Sequence, residues 1–221
     1  MMSIFIDTPN LSIERTAAGK PVSVAHLIRW ATSKSKRTAA AFLLIVVGTC
    51  AQAAQRADSC QAQIPKALAT AVAAAFAGYR TPLETDNLRE DVEYDRTHGG
   101  TGCLGVAVAD FNGDHAKDYL LGLTAVKGTS GLAVIALSSK TGWRFHKIRS
   151  WVEDVRTRQY VAAVKPGKHD RTEALDGPPL DTGERVSMRC PRWGALVGAT
   201  ESTGVVYCYM DGQWPHVVVS D

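Results

Sequence analysis

Between Gly105 and Val219 the chain is a succession of short apolar runs, each bounded by turn residues. Gly105–Ala109, Tyr119–Leu123 and Leu132–Leu137 are the clearest, and runs this short are the length of strands, not of helices that bury a face. Trp143 and Phe145 alternate after the turn Ser139–Gly142. Tyr160–Val164, Arg185–Met188, Ala195–Ala199, Val205–Met210 and His216–Val219 continue the series. Asp211–Gly212, between the last two, is a strong two-residue hairpin signal because both central positions of a type I′ turn need positive φ. The series predicts a mainly antiparallel sheet of about seven to nine strands.

One stretch has a different period. From Gln63 to Tyr79 the sequence is Ala-rich, with Ile64, Leu68, Val72 and Phe76 four residues apart. That spacing gathers them in one stripe on a helix, with Pro65 in its first turn and Gly78 and Pro82 as its stop. The fold class is therefore α+β: an N-terminal helix packed on antiparallel sheet, in a single domain. Glu84–Arg96 reads as a charged connector, either a solvated loop or a short helix. Its Glu90, Asp91, Glu93 and Asp95 form a solvated acidic face, since no apolar neighbours bury and perturb them. Lys165–Glu184 is a long Pro/Gly-rich interruption, which is either a functional or mobile loop or an ordered crossover between sheet halves.

The first 53 residues read as a leader. Lys34, Lys36 and Arg37 precede an apolar run from Ala39 to Val47, and Ala51-Gln52-Ala53 fits the A-x-A cleavage pattern. The run is far shorter than the ~18–20 residues of a membrane span, so it is the core of a secretory signal peptide, cut after Ala53. The segment before Lys34 is long for a signal and implies a mis-set start or a dispensable extension. Val47-Gly48-Thr49-Cys50 offers a second route, lipidation at Cys50, although Thr49 is a poor fit to it. The exported domain is then 54–221, periplasmic or extracellular, with no membrane span after processing.

Processing changes the charge argument. The whole chain has 25 Lys and Arg against 22 Asp and Glu, but the leader holds six of the former and two of the latter. The domain carries 19 against 20, a net charge of −1, and a nucleic-acid footprint has no support. Four cysteines remain in it, Cys60, Cys103, Cys190 and Cys208. An even number in an exported chain implies two disulfides, with three connectivities open. We expect Cys60–Cys103, tying the helix start to the strand entry, and Cys190–Cys208, joining strand ends around Pro191-Arg192-Trp193. The domain has no C-x-x-C pair or Cys/His cluster to suggest zinc.

The chemical motif is Asp110-Phe111-Asn112-Gly113-Asp114-His115-Ala116-Lys117-Asp118, lying between two strand signals. Oxygen ligands at alternate positions let a tight loop wrap a hard cation, and three carboxylates with an amide oxygen suit calcium better than magnesium. It is not an EF-hand, because its glycine is at the fourth position and Leu121 stands where the closing Glu belongs. The loop resembles the calcium-loop hairpin of FG-GAP and VCBS-type repeats, D-x-N-G-D-G-x-x-D, over about a dozen residues. The resemblance implies Ca2+ held by side chains of Asp110, Asn112, Asp114 and Asp118 and the carbonyl of Ala116. His115 replaces the family's second glycine, and a single copy implies no propeller. The alternative is a metal-free Asx turn closing the hairpin. More broadly, the order of helix, Asp/Asn loop, Lys165-Pro166-Gly167-Lys168 and closing strand resembles small exported bacterial proteins to which no activity attaches.

Other motifs fail on context. Gly100–Gly105 matches G-x-G-x-x-G but precedes a strand, with no helix opening after it. Ser130 is not in a nucleophile elbow, and His98, His115, His146, His169 and His216 are scattered singly. Trp143 and Tyr160 read as core. Trp151 and Trp193, beside Arg149 and Arg192, read as an exposed recognition patch. The function these features imply is a non-catalytic envelope module that binds a protein or glycan, with one calcium-stabilised hairpin. The competing class is a secreted hydrolase whose site assembles from distant residues.

Overall fold

The computed structural model describes residues 57–152, 158–173, 175 and 181–220. The leader, the secretory signal, Cys50 and the Ala53 cleavage site lie outside the described residues.

Two helices replace the single one expected over 63–79: α1 (Ser59–Gln63) and α2 (Lys66–Ala75). Pro65 separates them at φ −58°, ψ 140°, since proline cannot donate an N–H back into α1. The Asp58 carboxylate caps α1 by accepting from Cys60 and Gln61. Gly78, at φ 94°, turns the chain into β1 (Tyr79–Arg80). The charged connector is a 3-10 turn, Glu84–Asp86, followed by α3 (Arg89–Thr97).

Next come β2 (Val106–Ala109), β3 (Asp118–Ala125), β4 (Ser130–Ser139) and β5 (Gly142–Val152). They form an antiparallel sheet in the order β1-β3-β4-β5, with β2 also paired to β3. A second antiparallel sheet, β11-β10-β9-β6, uses β6 (Gln159–Val164), β9 (Gly194–Ala199), β10 (Thr203–Tyr207) and β11 (His216–Ser220). A ribbon of β7 (Gly167–Asp170) and β8 (Ser187–Cys190) completes it. The fold is thus mainly antiparallel β with few helices, in two sheets and a ribbon where one sheet was expected. Part of the Lys165–Glu184 interruption is itself strand, β7.

Burial explains the layering. Leu121, Leu123, Leu132 and Val134 pack on Ile64, Leu68 and Val72 of the helical layer. The alternate residues Leu120, Ala133, Ile135 and Leu137 pack on Val161, Val197 and Val205 of the second sheet. β3 and β4 are covered on both faces, which is why their sequences are continuous apolar runs. Each fully buried Leu or Ile there contributes roughly 1.5–3 kcal/mol. On the far side of the second sheet, Met188 and Cys190 of the ribbon meet Val206, Cys208 and Val217. A seam joins the sheets: the Val161 N–H donates to the Leu104 carbonyl at 2.9 Å.

The cysteines stand in the expected pairs at bonding distance, with Cα–Cα separations of 4.9 Å for Cys60–Cys103 and 5.3 Å for Cys190–Cys208. The first lies with the helices and first sheet, the second with the ribbon and second sheet. No helix among the described residues is long and apolar enough to cross a membrane.

Candidate functional site

The loop from Asp110 to Lys117 joins β2 to β3, and its acidic side chains are turned onto its own backbone. Asp110 Oδ1 accepts from the Gly113 and Asp114 N–H groups at 2.6 and 3.1 Å, and Oδ2 from that of His115 at 2.9 Å. Asn112 Oδ1 accepts from Asp114 N–H, and Asp114 Oδ1 from Ala116 N–H. The Asn112 amide also donates to Asp114 Oδ2 at 2.9 Å. That bond and the Ala116 N–H hold the Asp114 carboxyl below its ordinary range. The backbone is left-handed at Gly113, φ 81°, and at His115, φ 65°, the position where the resembling repeats carry glycine.

Asp118, at the root of the loop, is fully buried. Its Oδ2 accepts from Phe111 N–H at 3.0 Å and its Oδ1 from Ser138 N–H at 2.8 Å, so one carboxylate ties the loop to the end of β4. Burial pushes its pKa up, against the pull of those donors. All five residues expected to hold calcium therefore lie in one hairpin, in an Asx-type network. The Arg192 guanidinium lies over Gly113, where a Cβ would collide with it. The loop thus abuts the turn between β8 and β9.

A second group was invisible as a sequence pattern. Asp181, Glu184 and His216 bring their donor atoms within 4.8 Å of one another, alone among the described His, Cys, Asp and Glu residues in threes. Glu184 and His216 form a parallel bridge: His216 N–H donates to Gly183 O at 3.0 Å and Arg185 N–H to His216 O at 2.8 Å. Asp181 O accepts from Glu184 N–H at 3.1 Å, closing a turn that brings the two acids together. Arg171 Nε donates to Glu184 Oε1 at 2.9 Å, both side chains being buried. Tyr207, directly across the β10–β11 ladder, lies with its ring 5.1 Å from the imidazole. Burial lowers the His216 pKa, helped by Arg149 and opposed by Glu184 and Asp181.

The tryptophans part company. Trp151, half-buried at the end of β5, lies across Gly131, its cross-strand partner, where a Cβ would strike the indole. It lines a cleft of about 310 Å³ whose walls include Arg80, Asp86, Thr124, Thr129 and Ser130. Arg80 and Asp86 are paired there, and Asp86 also accepts from the Leu83 N–H and the Thr124 hydroxyl. Trp193 is exposed on the β8–β9 turn and is not among the residues that line that cleft. Trp143 meets Tyr119 edge to face at 5.6 Å in the helix-side core. Tyr160 lies over Gly198 in the second sheet.

Comparison with family models, curated proteins and solved structures finds no match to this chain.

Proposed function

We propose that this domain is a non-catalytic exported binding module of the bacterial envelope, and that its ligand is a glycan taken up in the Trp151 cleft. The observation that carries the reading is the lining of that cleft. An indole offers an apolar platform, while Thr85, Thr129 and Ser130 offer hydroxyls that donate and accept. The ion pair in it, Arg80 with Asp86, is internally neutralised, which suits an uncharged polyhydroxylated ligand better than an anion. The paired cysteines accord with an oxidising, periplasmic or extracellular location. In the same proposal the FG-GAP-like hairpin binds Ca2+ through Asp110, Asn112, Asp114, Ala116 and Asp118, stiffening β2 against β3 without taking part in chemistry.

The test is titration of the exported protein with soluble envelope glycan fragments, followed by tryptophan fluorescence. Saturable quenching that Trp151→Ala removes supports the reading. Capture of an envelope protein in place of glycan, unaffected by Trp151→Ala, would move recognition to another face, Trp193 included.

A secreted hydrolase is the second reading. The approach of His216 to Asp181 and Glu184, residues far apart in sequence, is what favours it. Turnover of an ester or glycoside panel, lost in His216→Ala, would decide for it.

A further inference from the structure

We propose that Asp181, Glu184 and His216 form a binding site for a first-row transition-metal dication of the zinc class, separate from the calcium hairpin. The site combines one imidazole nitrogen with two carboxylates, whose donor atoms lie within 4.8 Å of one another. One nitrogen and two oxygens at that spacing are three ligands of a zinc-type set, with a further position left for water or a ligand oxygen.

The scaffold holds the donors in place before any ion arrives. Backbone bonds on both sides of the Glu184–His216 bridge fix those two residues in register, and the turn closed by the Glu184 N–H fixes Asp181. Arg171 orients the Glu184 carboxylate through Oε1, as outer-shell donors do in metal sites. Tyr207 packs beside the imidazole from the neighbouring strand. Asp181 is exposed and gives an ion a path in from solvent, while His216 is half-buried and the Glu184 side chain is buried behind them.

The choice of metal follows from charge and ligand type. Arg171 pairs with Glu184, which offsets one of the two carboxylates of the cluster. Hard ions depend on that anionic charge: calcium seeks six to eight oxygens, and magnesium keeps most of its waters. A zinc-class ion gains a strong bond to imidazole nitrogen, which those ions do not. The inference holds whether the domain is a glycan-binding module or a hydrolase.

The experiment uses the whole exported protein, stripped with chelator and titrated with Zn2+ alone by calorimetry, then with Co2+ by absorption. One equivalent of Zn2+ should bind, and Co2+ should show an absorption band of imidazole-ligated metal. His216→Ala should weaken Zn2+ at least ~100-fold, by loss of a direct ligand. Asp114→Ala should leave Zn2+ binding unchanged, which separates this site from the hairpin. Should His216→Ala fail to fold, paramagnetic broadening by Co2+ in the wild type decides the question. Loss of the Gly183 and His216 amide signals, with those of Asp114 intact, supports the site. Absence of stoichiometric binding, binding that survives His216→Ala, or broadening centred on Asp114 would overturn it.

Discussion

Asp58 and Glu84 each accept a backbone N–H from the other's segment. Asp58 Oδ2 takes the Glu84 N–H at 2.9 Å, and Glu84 Oε1 takes the Ser59 N–H at 2.8 Å. The exchange fastens the start of α1 to the 3-10 turn, beside the Cys60–Cys103 pair. Arg96, on α3, completes it by pairing with Glu84.

This knot predicts an acid transition. Burial pushes the Glu84 carboxyl up, but hydrogen bonds from Ser59 and Arg96 and the Arg96 charge outweigh it and hold the pKa to about 2. A folded-state pKa below the unfolded value stabilises the fold above about pH 4.5, and that contribution is lost as pH falls towards 2. Melting temperature measured between pH 6 and pH 2.5 should fall for wild type. Glu84→Gln should be less stable at pH 6 and flatter over the same range.

Asp118 should be the most sensitive position of the hairpin. Asp118→Ala leaves the Phe111 and Ser138 N–H groups without their acceptor, at about 1–3 kcal/mol each. We expect a loss of roughly 2–4 kcal/mol by urea unfolding, with the urea dependence unchanged. Its raised pKa gives the opposite pH slope to that of Glu84: the ionised form costs stability at neutral pH, and the cost fades as acid protonates it.

Calcium should raise the melting temperature. Extracellular modules bind with Kd of ~0.1–1 mM, so about 2 mM Ca2+ contributes roughly 0.6–1.8 kcal/mol. That corresponds to a shift of about 1–7 °C by calorimetry. Asp114→Ala should abolish the shift, and magnesium should produce a smaller one. Equal melting in calcium and in chelator would leave the loop a metal-free Asx network.

Gly131→Ala should displace an indole. The added methyl collides with Trp151, and overpacking of this kind costs about 1–3 kcal/mol. Tryptophan emission should shift to the red as the ring leaves the cleft wall, while Gly167→Ala, where an added Cβ meets only the Lys165 carbonyl at 3.9 Å, should leave the emission unchanged.

Strand positions were readable because β3 and β4 are apolar on both faces, so their runs stand out whatever their partners. The division into two sheets was not readable, since a continuous apolar run does not say which layer each face meets. The Asp110–Asp118 loop was legible because its chemistry is local, each carboxylate bonding within a few residues. Asp181, Glu184 and His216 offered no such signal: a parallel bridge between two distant segments leaves no spacing in the sequence. The Asp211–Gly212 turn, with φ of 49° and 80°, placed His216 on a strand but not beside the acids.

The cysteine pairs divide the chain without crossing it, one inside the segment that builds the first sheet and one inside the segment that builds the second. A chain threaded through a membrane from its N-terminus presents Cys60 and Cys103 before Cys190 has emerged. Under the proposed export with removal of Cys50, pairing cysteines in order of arrival gives this same connectivity, Cys60–Cys103 and then Cys190–Cys208.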